Sequence, residues 1–404
     1  MAGTDDEVKE YDPFITYSVF PDARSVFALR LKPLEEAKES AIVVLDTNAL
    51  LVPYSIGKES LDQIGATYRY LVETERLIVP GQVAREFAKN RAQKIGEIFQ
   101  QLSRKRSSVP TLQKGKYPLL EGSGVYQEAI TLEKKIDELL RTYRDVLGKV
   151  LNYIQSWVWD DPVSVLYSDL FTEQVVLDIE FDQKALLEDL ERRRRHYLPP
   201  GYKDAGKEDG GVGDLIIWYT ILEVGKQRKR DVIFVSGDQK ADWWHRSEKQ
   251  LLYPRYELVE EFRQKAGKEL SFHIITFSQF LDLFGASKEI VQEVRAEEEK
   301  QKEILGLVGE FIRKWQQLEH ILLAVHRDLY PQSSSKWRSV LQIVSQWERD
   351  GVISDEFAYQ IKSLNRFRNK LIHEHTNFPP DELRERIMEI ENLLGSVWTE
   401  INVT

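Results

Sequence analysis

Apolar residues run unbroken through Ala41-Ile42-Val43-Val44-Leu45 and stop at Asp46. A continuous run of aliphatic, mostly β-branched residues with no polar alternation is the pattern of a parallel strand covered on both faces. It returns in Val232-Ile233-Phe234-Val235, which leads into Ser236-Gly237-Asp238, and more briefly in Arg76-Leu77-Ile78-Val79-Pro80 and Phe272-His273-Ile274-Ile275-Thr276. Between these runs the spacing becomes helical. Leu61, Ile64, Tyr68 and Leu71 predict a helix over 58–73, and Gly81 opens another that reaches the basic tail Arg104-Lys105-Arg106. Residues 125–159 and 162–197 are expected to form two long helical stretches, and Gly213-Asp214 opens a helix over 215–225. Further helices are expected to begin at Ala241-Asp242-Trp243-Trp244 and at Phe277. Alternating strands and helices predict an α/β fold, a doubly wound and mostly parallel sheet, with a long helical insertion over about 95–198.

After Gly285-Ala286-Ser287 the strand signal ends. Residues 286–302, with Glu297-Glu298-Glu299, are expected to be a charged and solvated helical linker. Residues 303–404 then carry helical spacing throughout (Phe311, Trp315, Leu318 and Leu322; Trp337, Val340, Leu341 and Val344), which predicts an all-α bundle. Residues 1–40 are mixed and turn-rich, with Pro13 and Pro21, and are expected to form an arm or cover over the domain at 41–285.

With 404 residues, 42% hydrophobic and 30% charged, the chain can build two or three cores. No apolar run approaches the length a bilayer requires, and the first twenty residues lack a basic start and an apolar centre, so a cytoplasmic protein with no membrane partner is expected. The absence of cysteine removes disulfides, zinc–thiolate sites and thiol nucleophiles together. A net charge of −10 argues against indiscriminate binding to nucleic acid, while leaving room for local basic patches.

Four acids stand at strand ends or in the first turns of following helices: Asp46, Glu86, Asp214 and Asp238. Any one of them alone reads as a helix cap. In right-handed βαβ units, however, all four converge on one edge of the sheet, where their mutual repulsion calls for a cation. Carboxylate oxygens suit Mg²⁺ or Mn²⁺, which can assist phosphodiester cleavage. Asp242, four residues after Asp238, would share a helix face with it. The run Arg192-Arg193-Arg194-Arg195, followed closely by Lys203, reads either as the solvated end of a helix or as a phosphate-binding patch.

Leu45-Asp46-Thr47-Asn48, the segment from Val79 to Phe87, Gly213-Asp214-Leu215-Ile216-Ile217-Trp218 and the segment from Val235 to Trp244 together resemble a PIN-like domain. The resemblance extends to the bacterial branch that carries a Pro-Pro-Gly-Tyr-Lys-Asp segment, here Pro199 to Asp204. It implies a metal-dependent nuclease with Asp46, Glu86, Asp214 and Asp238 as metal-binding acids, supported by Asn48. Many relatives have two adjacent acids where this chain has Gly237-Asp238, which makes Asp242 an additional candidate. In the C-terminal part, Arg368-Asn369 followed by His373, on the bundle's third helix, resembles a HEPN domain. That implies metal-free RNA cleavage by Arg368 and His373, with Asn369 in support, usually across a homodimer or a higher even oligomer. The two resemblances imply a nuclease acting on RNA, with DNA possible, in a bacterial defence or toxin setting. Two alternatives stay open: only the PIN-like domain cuts while the bundle dimerises or senses RNA, or the chain is a nuclease-dead RNA-binding scaffold.

Overall fold

The structure, a computed structural model, describes residues 12–27, 29–112, 115–203, 210–238, 240–248, 250–331, 339–373 and 378–401. It divides into two compact units, Met1–Arg295 and Ala296–Thr404.

The first unit is built on five parallel strands. They are β1 (Ile42–Leu45), β2 (Leu77–Pro80), β3 (Val176–Leu177), β4 (Val232–Val235) and, beyond the hairpin β5 (Trp244–Ser247) and β6 (Gln250–Pro254), β7 (Phe272–Ile275). The sheet order is β3-β2-β1-β4-β7. Every residue of β1, β2 and β4 is buried, which is why these strands carry uninterrupted apolar runs. From β1 the chain winds outward through β2 and β3, returns to the other side of β1 as β4, and winds out to β7. The order therefore reverses between β1 and β4, and the carboxyl ends of those two strands open the crevice in which such sheets hold ligands.

Three expectations are corrected. Residues 162–197 are not one helical stretch: helices Pro162–Leu170 and Gln183–His196 flank β3, which pairs with β2 through Val79–Val176 and Pro80–Leu177. A two-residue edge strand is too short to display a period. Ala241-Asp242-Trp243-Trp244 does not open a helix either; it forms a turn that leads into the β5–β6 hairpin. Trp243, only 2% exposed, packs there against Trp218 and Phe234. Finally, the start of the expected solvated linker belongs to the first core, because helix Lys288–Leu329 buries Ile290, Val291 and Val294 there. The arm contains short helices, Ile15–Val19, Ala23–Phe27 and Leu34–Ala37, and is strapped down where Lys32 donates from its backbone N to Ser271 Oγ (2.9 Å) and from Nζ to Asp231 (2.8 Å).

The insertion consists mainly of two long helices, Gly81–Ser107 and Gly124–Gln155. A buried ion pair fastens it: Arg91 donates to Asp161 Oδ2 and to Ser164 Oγ, while Asp161, fully buried, also caps helix Pro162–Leu170 through Ser164 N at 3.0 Å. In the second unit, the later part of Lys288–Leu329 and the helices Val340–Arg349, Asp355–His373 and Pro380–Glu400 enclose a core that includes Phe311, Trp315, Trp347, Ile361 and Ile390. Among the described residues this unit has no strand. Trp337 lies outside the described residues.

Candidate active site at the carboxyl edge of the sheet

Asp46 is the residue at which β1 ends and helix Thr47–Leu51 begins. Its backbone N donates to Val235 O of β4 (3.0 Å), and its side chain caps the helix by accepting from Thr47 N at 2.7 Å. The cap reading and the functional reading thus fall on the same residue, which is 9% exposed. Its other oxygen accepts from Ser236 Oγ (2.5 Å) and from the amide of Asn48 (2.7 Å). Burial, reinforced by the neighbouring charges of Asp238 and Glu86, raises the Asp46 carboxyl to about 6 even against these donors.

Asn48 ties the two central strand ends together. Its Nδ2 serves Asp46, and its Oδ1 accepts from Gly237 N at 2.7 Å. Ser236 performs the matching function from β4, since its hydroxyl also accepts from Asp238 N at 3.0 Å. Glu86, on helix Gly81–Ser107, is held by Thr47 Oγ1 (2.6 Å) and Gln82 Nε2 (3.0 Å). Asp214 sits in the first turn of helix Val212–Arg228, which starts at Gly211 with φ 81°, a backbone shape that favours glycine. The Lys240 ammonium lies between two of the acids, 2.8 Å from Asp238 Oδ2 and 3.4 Å from Asp214 Oδ2.

The structure therefore brings Glu86 and Asp238 each within electrostatic reach of Asp46 and joins Asp214 to Asp238 through Lys240. Sequence reasoning missed Thr47, Gln82, Ser236 and Lys240. Thr47 and Ser236 each adjoin a strand end, which is a usable signal, whereas a lysine in a turn reads as solvated surface. Asp242 departs from expectation. It is fully buried, accepts from Gly201 N at 3.0 Å, and leaves Oδ1 without a partner among the described residues. Burial raises its carboxyl above the ordinary range. It lies in a turn rather than the expected helix and stays within electrostatic reach of Asp238. It anchors the Pro199-Pro200-Gly201-Tyr202 segment, whose Tyr202 hydroxyl donates to Ala241 O at 3.2 Å. Lys203 is exposed, and Asp204 lies outside the described residues.

Part of the arginine run forms a structural clasp. Arg193 is 2% exposed and bonds Asp189, Glu261 and the Pro199 carbonyl. Arg192 pairs with Asp189 and Arg194 with Glu191, each at 2.6 Å, while Arg195 is half-buried. In the second unit, Arg368 and Asn369 are partly buried and joined, Arg368 Nη1 donating to Asn369 Oδ1 at 3.1 Å. His373 ends their helix, and its side chain lies outside the described residues.

The donor chemistry of the acidic edge fits a hard divalent cation, since every candidate ligand atom is a carboxylate oxygen. Among the described residues no three such groups are gathered closely enough to hold a metal as they stand. Lys240 supplies the positive charge between Asp214 and Asp238 in this conformation. None of the described helices is long and apolar enough to cross a membrane. No curated protein and no solved structure matches the sequence. The family model for the PIN like domain matches residues 42–258, a span that runs from the first residue of β1 past the β5–β6 hairpin and takes in both long insertion helices. On that match, which covers more than half of its 404 residues, the chain belongs to the PIN-like domain family, whose members are generally nucleases.

Proposed function

We propose that the chain is a divalent-metal-dependent nuclease that cuts RNA phosphodiester bonds at the crevice between β1 and β4. The observation that carries this reading is the gathering of buried and half-buried carboxylates there, with Asp46 raised to about 6 by burial and by the charges of Asp238 and Glu86. Retaining such a cluster opposes folding, and a binding site for cations is the function that accounts for it. Asp46, Glu86, Asp214 and Asp238 would hold Mg²⁺ or Mn²⁺, which when bound supplies activation of water and neutralisation of phosphate charge. Thr47 orients the Glu86 carboxylate, and Asn48 and Ser236 orient that of Asp46. Lys240 holds Asp214 and Asp238 together without metal, and when released its ammonium can meet the phosphate backbone.

The test offers labelled RNA and DNA to the protein with Mn²⁺, Mg²⁺ or EDTA. Metal-dependent RNA cleavage is expected, and Asp46→Asn and Asp238→Asn should each abolish it. Full activity in both variants would reject the assignment. A second reading rests on the Arg368–Asn369 pair on the helix that ends at His373: the bundle is a HEPN-type RNase that cuts through the ribose 2′-hydroxyl, or a dimerising and RNA-sensing module. Two RNA-cutting parts in one chain fit a bacterial defence or toxin role in which host or phage RNA is cleaved on a trigger.

A further inference from the structure

Helix Gly124–Gln155 has two apolar faces. One is turned inward and buries Leu147, Leu151 and Ile154. The other faces solvent along most of the helix: Val125, Leu132, Leu139 and Val146 in one row are 46–79% exposed, and Ile136, Tyr143 and Val150 in the next are 38–45% exposed. Ala129 completes the second row and is also exposed. From 125 to 150 the steps alternate four and three residues without a break, a heptad seam in which the Val125 row takes the d positions and the Ala129 row the a positions. The seam is about 38 Å long at 1.5 Å per residue. A solvent-facing apolar stripe of this regularity marks an interface.

The flanking charges select the occupant. On the solvent side the g positions are Glu128, Lys135, Thr142 and Lys149, all exposed; on the other side the e positions include the buried Leu147 and Ile154. An antiparallel second copy, in the register that sets Val125 against Val150, Leu132 against Tyr143 and Ile136 against Leu139, uses all eight seam positions. That register also sets Glu128 against Lys149 twice by symmetry, and Lys135 against Thr142. A one-heptad slip in either direction brings lysine against lysine, and parallel pairing sets Glu128 against Glu133 of the other copy. We propose that the chain forms a two-fold antiparallel homodimer through this face, with that register. The dimer does not depend on the nuclease reading.

The experiment uses the full chain. Sedimentation at micromolar concentration should show a dimer, and Leu132→Glu with Leu139→Glu should make it monomeric with an unchanged circular dichroism spectrum, since both side chains are more than half exposed. Lys149→Glu should raise the dimer Kd roughly tenfold, and adding Glu128→Lys should restore it. Because the sequence has no cysteine, Val125→Cys combined with Val150→Cys should give a covalent dimer on oxidation, and neither change alone should do so. A monomeric wild type, a dimer indifferent to the leucine changes, or cross-linking by Val125→Cys alone would each overturn the proposal. If the leucine variant misfolds, the charge exchange and the cysteine pair decide.

Discussion

Asp46 combines a structural and a chemical demand in one side chain. It accepts three hydrogen bonds while burial and two nearby acids oppose its charge. With a folded value of about 6 against an ordinary 3.8, protonation favours the folded state. The associated stability is present below pH 4 and disappears as pH rises through 6. In EDTA the wild type is therefore expected to lose roughly 2–3 kcal/mol across that window. Asp46→Asn should show a flatter profile in urea titrations repeated from pH 4 to 7.5, and the same slope in both proteins would refute the assignment. Lys240 makes the complementary case. Lys240→Met removes the cation between Asp214 and Asp238, so the variant should be less stable in EDTA and should bind Mn²⁺ roughly three- to tenfold more tightly by calorimetry, a gain of about 1 kcal/mol. Weaker binding would show that Lys240 does not compete with the metal.

At the scale of elements, the site depends on how the insertion is fastened to the sheet. Helix Gly81–Ser107 carries both Glu86, which Thr47 holds, and Arg91, which pairs with the fully buried Asp161. Arg91→Met would leave that carboxylate buried without its partner and should cost roughly 3–5 kcal/mol in denaturant unfolding. The double change Arg91→Met with Asp161→Asn should cost less than the sum of the single changes, because the orphaned charge is gone. The strand runs, the helix over 58–73 and the start at Gly81 were legible from local pattern because each buries a face of regular period. The edge strand β3 and the hairpin β5–β6 were not: the first is two residues long and the second begins with a buried acid and aromatics that fit a helix equally well.

At the scale of the molecule, the proposed nuclease function and its second reading differ in chemistry, which end-group analysis can separate. Cleavage at the acidic crevice should leave 5′-phosphates and stop in EDTA, whereas attack by the 2′-hydroxyl leaves a 2′,3′-cyclic phosphate and spares DNA. His373→Ala should remove any EDTA-resistant activity specific for RNA, by a factor of roughly 10²–10⁴, and Asp214→Asn should leave that activity intact. If only 5′-phosphate ends form and His373→Ala cuts normally, the bundle's contribution is assembly or RNA binding.

By itself the sequence determined that the β1, β2, β4 and β7 runs become buried strands, that the β1 and β4 runs lead into Asp46 and Asp238, and that a chain without cysteine offers a metal only oxygen and imidazole ligands. Burial on both faces writes itself into composition, so those features are local and readable. The tertiary structure alone decided that Ser236 and Asn48 clasp Asp46, that Lys240 bridges Asp214 and Asp238, and that Asp242 and Arg193 turn inward to hold the Pro199–Gly201 segment. These partners are up to about 190 residues apart in sequence, and a polar side chain carries no periodic mark of the residue it will meet. Only the order β3-β2-β1-β4-β7, with its reversal between β1 and β4, brings them to one crevice.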